Sequence, residues 1–131
     1  MAVALQDGRV LVAAGSSGHF KGNRELSAAE VFDPKTEAWT AVAPLREARW
    51  GATETLLRDG QVLVVGGAID PRGARSSAEL FNPDKGTWGD AGNLKQARNG
   101  HRAITLNDGR VLIVGGYYVW KYLASSEIYA P

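Results

Sequence analysis

Leu57-Arg58-Asp59-Gly60-Gln61-Val62-Leu63-Val64-Val65-Gly66-Gly67 joins an Asp-Gly pair to an unbroken aliphatic run that stops at a glycine doublet. Gly accepts the positive φ of a tight primed turn at no steric cost, so the pair predicts a hairpin. The run after it lacks the polar alternation of a half-exposed strand, which predicts a strand covered on both faces near the middle of its unit. The same phrase stands at Leu5 to Gly15 and at Leu106 to Gly116, with its aspartates at Asp7, Asp59 and Asp108. Those aspartates are 52 and 49 residues apart, and a period near fifty belongs to a supersecondary unit repeated in space.

Two further phrases keep step with the first. One is Ser27-Ala28-Ala29-Glu30-Val31-Phe32-Asp33-Pro34, repeated at Ser76 to Pro83 and at Ser125 to Pro131. The other runs from Glu37-Ala38-Trp39-Thr40 to Pro44-Leu45-Arg46-Glu47-Ala48-Arg49, and again from Gly86-Thr87-Trp88-Gly89 to Asn93-Leu94-Lys95-Gln96-Ala97-Arg98. Each copy reads as four strands. Strand A is Ala52 to Leu57 or His101 to Leu106, and strand B is Val62 to Val65 or Val111 to Val114. Strand C is Ala29 to Phe32 and its equivalents, halted by Asp-Pro or Asn-Pro because Pro donates no ladder hydrogen bond. Strand D carries Trp39 or Trp88. No window holds a helical period, so the expected class is all-β, with about two and two-thirds propeller blades of four antiparallel strands.

The glycine doublets closing strand B, the aromatic on strand C and the Trp on strand D resemble the kelch family, including the propeller of galactose-oxidase-like proteins. The resemblance covers essentially the whole chain. The first copy departs from it only in carrying Ala14-Gly15 in place of the doublet. A single unit over residues 1–131 is expected, with a partial first blade at 1–45, a second at 46–94 and a partial third at 95–131. Two origins of a closed ring stay open: a longer propeller of which this is a fragment, or self-association, a dimer giving six blades. An arc left uncovered exposes apolar flanks, which favours the homo-oligomer for a chain that is stable alone.

Composition narrows the function classes. With 44% hydrophobic and 22% charged residues the chain is of ordinary globular type. No apolar run reaches the ~20 residues of a membrane span and Met1 to Asp7 has no signal-peptide pattern, so a cytoplasmic location is the default expectation. Absence of Cys excludes disulfides, thiolate zinc and a galactose-oxidase-type Tyr–Cys copper site; two His without metal spacing predict neither metal nor cofactor.

Residues that recur in each copy serve the blade, and residues found once are better ligand candidates. Glu30, Glu79 and Glu127 recur and read as structural acceptors; Phe32, Phe81, Tyr129, Trp39 and Trp88 read as packing. Strand direction puts the D–A and B–C loops on one rim, of net charge +7, and the Asp-Gly turns with the C–D loops on the other, of charge −1. On the basic rim Arg49 and Arg98 stand at matching places, able to fork onto a carboxylate or to pair with the strand-C Glu. Trp50, Asn99, His101, Tyr117, Tyr118 and Trp120 break the repeat beside them.

The expected ligand-binding set is therefore Arg49, Trp50, Arg98, Asn99, His101, Tyr117, Tyr118 and Trp120. The function expected is a binding module that takes an acidic peptide or a carbohydrate, since kelch propellers that bind proteins use this rim. A structural or assembly unit is the second reading. A sugar-acid epimerase, for which Glu47 and His101 are the acid and base on this rim, is the third. Nucleic acid and membrane are not expected partners, for the basic rim lacks a groove or helix.

Overall fold

The computed structural model describes residues 1–18, 24–69 and 73–131, and among them there is no helix. In the first sheet β1 (Ala2–Ala4), β2 (Val10–Ser17), β3 (Arg24–Asp33) and β4 (Ala38–Ala41) lie in chain order, each antiparallel to the next. The second contains β5 (Thr53–Leu56) and β6 (Val62–Val65). After the two-residue ribbon of β7 (Ala68–Ile69) and β8 (Gly73–Ala74) it continues with β9 (Ser77–Asn82) and β10 (Thr87–Asn93), in the order β10-β9-β6-β5. The third contains β11 (Arg102–Thr105) and β12 (Val111–Val114). A ribbon of β13 (Tyr117–Tyr118) and β14 (Lys121–Tyr122) precedes its last strand, β15 (Ser126–Tyr129). These are all-β, antiparallel blades of the expected kind.

Strand β6 is an inner strand with all four residues buried, as the aliphatic run requires. Its alternating sides join two cores. Val62 and Val64, with Phe81 and Trp88, face back onto Leu11, Ala13 and Val31 of the first blade. Leu63 and Val65, with Ala78, face forward onto Val111 and Ile113 of the third. Burying each such side chain is worth about 1.5–3 kcal/mol, so the blade junctions carry most of the hydrophobic stabilisation.

The Asp-Gly turn differs from the sequence expectation. Only the glycines take positive φ, at 91°, 86° and 92° for Gly8, Gly60 and Gly109, and the aspartates before them do not. Gly60 N–H donates to the Leu57 carbonyl and Leu57 N–H to that of Gln61, and both bonds recur in the other copies. The hairpin thus closes through a wider turn ending on a left-handed glycine, not through a two-residue primed turn, which needs both central residues at positive φ. The aspartate clamps it: Oδ1 accepts the amide two residues on, at 3.0 Å in Asp7, Asp59 and Asp108. Their Oδ2 atoms take Arg9, Gln61 and Arg110 side chains, which accounts for the aspartate wholly as a turn residue.

Candidate functional site

The D–A loops supply a repeated staple. Arg49 is wholly buried, and its backbone belongs to the first blade: its N–H donates to Leu26 O at 3.1 Å and its carbonyl accepts from Gly15 N–H at 2.8 Å. Its guanidinium belongs to the second, donating to the carbonyls of Gly66 and Ser77 at 2.8 and 2.9 Å and to Glu79 Oε1 at 2.8 Å. Glu79 also accepts the amides of Arg46 and Glu47. Burial lowers the Arg49 pKa from its ordinary value, against the opposing charge of Glu79.

Arg98 repeats the pattern one blade on. Its guanidinium donates to Gly115 O, Ser125 O, Ser125 Oγ and Glu127, while Glu127 accepts the amides of Lys95 and Gln96. Burial pushes the Glu127 carboxyl up, but those amides and the arginine outweigh it and hold it below its usual value. Both arginines of the expected binding set therefore lie beneath the surface with their forks engaged by the blade itself. Glu79 and Glu127 receive the structural role read for them.

The glycine doublet exists for this staple. A Cβ on Gly66 would stand 2.5 Å from Arg98 O and 2.8 Å from His101 Cε1. In the first blade Ala14 takes the same left-handed φ, 57° against 63° for Gly66 and 67° for Gly115. Ala52 holds the place of His101 there, so the imidazole that a Cβ on Gly66 would meet has no counterpart. His101 is itself buried, with Nε2 3.0 Å from Thr53 Oγ1. Burial, then the charges of Arg98 and Arg102, lower its pKa to about 4, so at neutral pH it is an uncharged packing residue.

The rim proper is made where the loops meet. Trp50 bridges Ala68, and Asn99 bridges Tyr117, so each D–A loop is sewn to the B–C loop of the following blade. Gly100 N–H donates to Gly51 O at 2.9 Å, which sets the two D–A loops side by side. Trp50 is part-exposed and Asn99 half-buried at this seam.

From the seam rises the β13–β14 hairpin. Its central residues Val119 and Trp120 sit at φ 41° and 63°, a true primed turn built without glycine. Such conformations cost on the order of 1–3 kcal/mol each and persist only where surrounding contacts over-determine them. Here the contacts are the Tyr117–Tyr122 edge-on ring pair at 5.4 Å and the bond from Leu123 N–H to Gly116 O at 2.9 Å. Trp120 and Tyr122 are 73% and 86% exposed, with Tyr118 partly so. Tyr122 was not in the sequence-based set, although the register Tyr117↔Tyr122 follows once Val119-Trp120 is read as a turn.

Lys121 lies on the hairpin itself, and Arg24, Arg46, Lys95 and Arg102 are the other exposed cations of the loops and strand ends on the basic rim. Arg75 is partly buried and pairs with Glu47 at 3.0 Å. Glu47 also takes the Ser77 hydroxyl and lies 3.4 Å from Arg49, so both acid–base candidates for an epimerase are held in structural contacts. His19, Lys21, Asp70 and Arg72 lie outside the described residues. Among the described residues no His, Cys, Asp or Glu cluster suits a metal, and no helix is long and apolar enough to cross a membrane.

Comparison with known proteins agrees with the blade geometry. Residues 1–46 match the family model described as Kelch motif. A 50-residue stretch is 42% identical to an F-box/kelch-repeat protein of Arabidopsis thaliana. Both matches are to the kelch repeat. The stretch is 38% of this chain and covers only 13% of that relative's length, so the likeness concerns the repeat and not the relative's other parts. In this chain the doublet carbonyls at Gly66 and Gly115 receive the arginine forks, and the strand-C aromatic packs on the strand-D Trp, as Phe81 does on Trp88 at 5.0 Å.

Proposed function

We propose that this kelch chain is a recognition module that takes an acidic protein segment on the rim formed by the β13–β14 hairpin, Trp50 and Asn99. The carrying observation is the hairpin: strained backbone at Val119 and Trp120 holds large aromatic faces in solvent, a cost without return in a purely structural loop. Rigid aromatics flanked by cations are what peptide recognition uses, the rings supplying contact area at small entropic cost and Arg or Lys supplying charge. Arg102 and Lys121 fill that second role, with Arg49 and Arg98 fixing the loops from beneath.

The test is a binding screen with acidic peptides, wild type against Trp120→Ala with Tyr122→Ala and against Lys121→Glu. Lys121→Glu leaves the Tyr117–Tyr122 ring pair intact, whereas the first variant removes it, so Trp120→Ala alone is measured beside it and is expected to lose binding as well. The reading expects binding lost in the first and weakened about tenfold or more in the second. Unaltered binding in both overturns it. Carbohydrate is the second reading, favoured by the flat exposed faces of Trp120 and Tyr122; on a glycan array it predicts loss in the aromatic variant and indifference to Lys121→Glu.

A further inference from the structure

Ile69 and Ala74, on the two strands of the β7–β8 ribbon, form one side of a cavity of about 250 Å³, and Glu47, Arg75, Ser76 and Asn93 form the other. The second blade is covered on both faces, Val62 and Val64 by the first blade and Leu63 and Val65 by the third. The cavity therefore belongs to a fully packed blade.

Three of its polar walls break the repeat, and backbone bonds fix which residues correspond. Arg75 N–H donates to Gly67 O as Leu123 N–H does to Gly116 O, and Arg75 O accepts from Arg98 N–H as Leu26 O does from Arg49. Leucine thus holds the place of Arg75 in both other copies. Glu47 N–H goes to Glu79 as Gln96 N–H goes to Glu127. Leu94 N–H goes to Ser76 O as Leu45 N–H goes to Ser27 O, so Asn93 answers to Pro44.

The singular residues meet in the cavity. Arg75 Nη1 lies 3.0 Å from Glu47 Oε1, and Arg75 Nε donates to Ala48 O at 2.8 Å. A partly buried ion pair gains little over well-packed apolar side chains, and leucine serves the other two blades at this place, so the pair is not demanded by stability. A bulge between Asp90 and Asn93, with Gly92 at φ 82°, sets Asn93 opposite Ser77, and bulges are where a sheet re-aims a side chain. Arg75 Nη2, the Ser76 hydroxyl and the Asn93 amide have no hydrogen-bond partner among the described residues.

We propose that this cavity binds a neutral vicinal diol, presented by the edge of one pyranose ring. One hydroxyl donates to Glu47 and its neighbour accepts from Arg75 Nη2, while Ser76 and Asn93 supply further donors and acceptors in the same wall. The ion pair cancels its own charge, so the site selects a ligand of no net charge and leaves the pair intact. Ile69 and Ala74 offer an apolar patch to the C–H face of the ring. The volume falls below the roughly 300–1,000 Å³ of pockets for drug-sized ligands, which suits a single ring. The cavity shares no residue with the hairpin rim and does not rest on the function proposed above.

The test titrates the intact chain with the methyl pyranosides of glucose, galactose and mannose, and with L-alanine, following the Asn93 side-chain amide resonance. Saturable millimolar binding of at least one pyranoside is expected. Glu47→Gln with Arg75→Leu installs the residues that the next junction carries at both places, so the fold is kept, and binding should weaken about tenfold or more through loss of charged hydrogen-bond partners. Asn93→Ala, at an exposed strand end, should weaken it as well, and Trp120→Ala should leave it unchanged. Absence of saturable binding by all three pyranosides overturns the proposal, as does binding that both cavity variants leave unaltered. Binding lost in Trp120→Ala overturns it by moving the sugar to the hairpin, and tighter binding of alanine overturns it by placing a zwitterion across the ion pair.

Discussion

Replacing Arg49 with Met keeps the length of the side chain and removes its charge and five donors, which isolates the staple from the packing around it. The guanidinium is fully buried and holds two backbone carbonyls and a carboxylate that is itself 4% exposed. Its loss leaves Glu79 with the Arg46 and Glu47 amides but without a countercharge, and strips the Gly66 and Ser77 carbonyls of their guanidinium. Breaking a buried pair by removing one partner costs about 3–5 kcal/mol. In a chain of this size that lowers the midpoint by very roughly 10–20 °C, at about 3–5 °C per kcal/mol. Arg98→Met should cost visibly less, because Glu127 is 16% exposed and water can take over part of the solvation. Thermal and urea unfolding of the two variants, with Arg49→Met/Glu79→Leu closing a double-mutant cycle, reads all three quantities. The double variant should recover much of the loss, since no unpaired charge then remains buried. A cost below about 1 kcal/mol for Arg49→Met, or the reverse order of the two arginines, would refute the assignment of these residues to the scaffold.

Other perturbations probe other links. Glu54 pairs across β5–β6 with Val64, and its two carboxylate oxygens are buried without hydrogen-bond partners. Burial raises its pKa to about 7, against the pull of the Met1 amine. A raised carboxyl favours the fold below its unfolded value of about 4.5 and loses that contribution as pH climbs through 7, so stability should fall by up to about 3 kcal/mol over that window. Glu54→Gln should flatten the pH profile of urea unfolding there. His101 runs the opposite way: its depressed pKa gives a contribution present above about 6.5 and lost as pH falls towards 4, and His101→Gln should remove that acid limb. Gly66→Ala drives a Cβ into Arg98 O at 2.5 Å and should destabilise by several kcal/mol, whereas Ala14→Gly relieves a left-handed alanine and should stabilise by roughly 0.5–1 kcal/mol; calorimetry on the pair distinguishes the two.

The blades were legible in the sequence because the repeat fixes strand polarity, and because Val62 to Val65 is too apolar to lie at an edge. The recurrent glutamates were legible for the same reason. What sequence could not weigh was where each arginine fork ends. Arg49 and Arg98 lie on the rim in sequence order, yet a guanidinium spans the gap to the next sheet, and only the three-dimensional approach of Gly66 and Ser77 shows their carbonyls waiting for it. The Asp-Gly turn misled in detail because glycine satisfies several turn geometries. The genuine primed turn, at Val119-Trp120, was hidden because a β-branched residue rarely takes positive φ.

The staple also sets how this chain comes apart. Each arginine has its amide in one sheet and its side chain in the next, so the covalent boundary between repeats and the energetic boundary do not coincide. In a linear array, cooperativity grows with the ratio of nearest-neighbour coupling to the intrinsic stability of each unit. A coupling term of several kcal/mol carried by one side chain per junction makes partly unfolded arrays costly. Cutting the chain between residues 45 and 46, where the sequence period divides it, would leave one fragment with the arginine and its socket but without the strands that carry its amide.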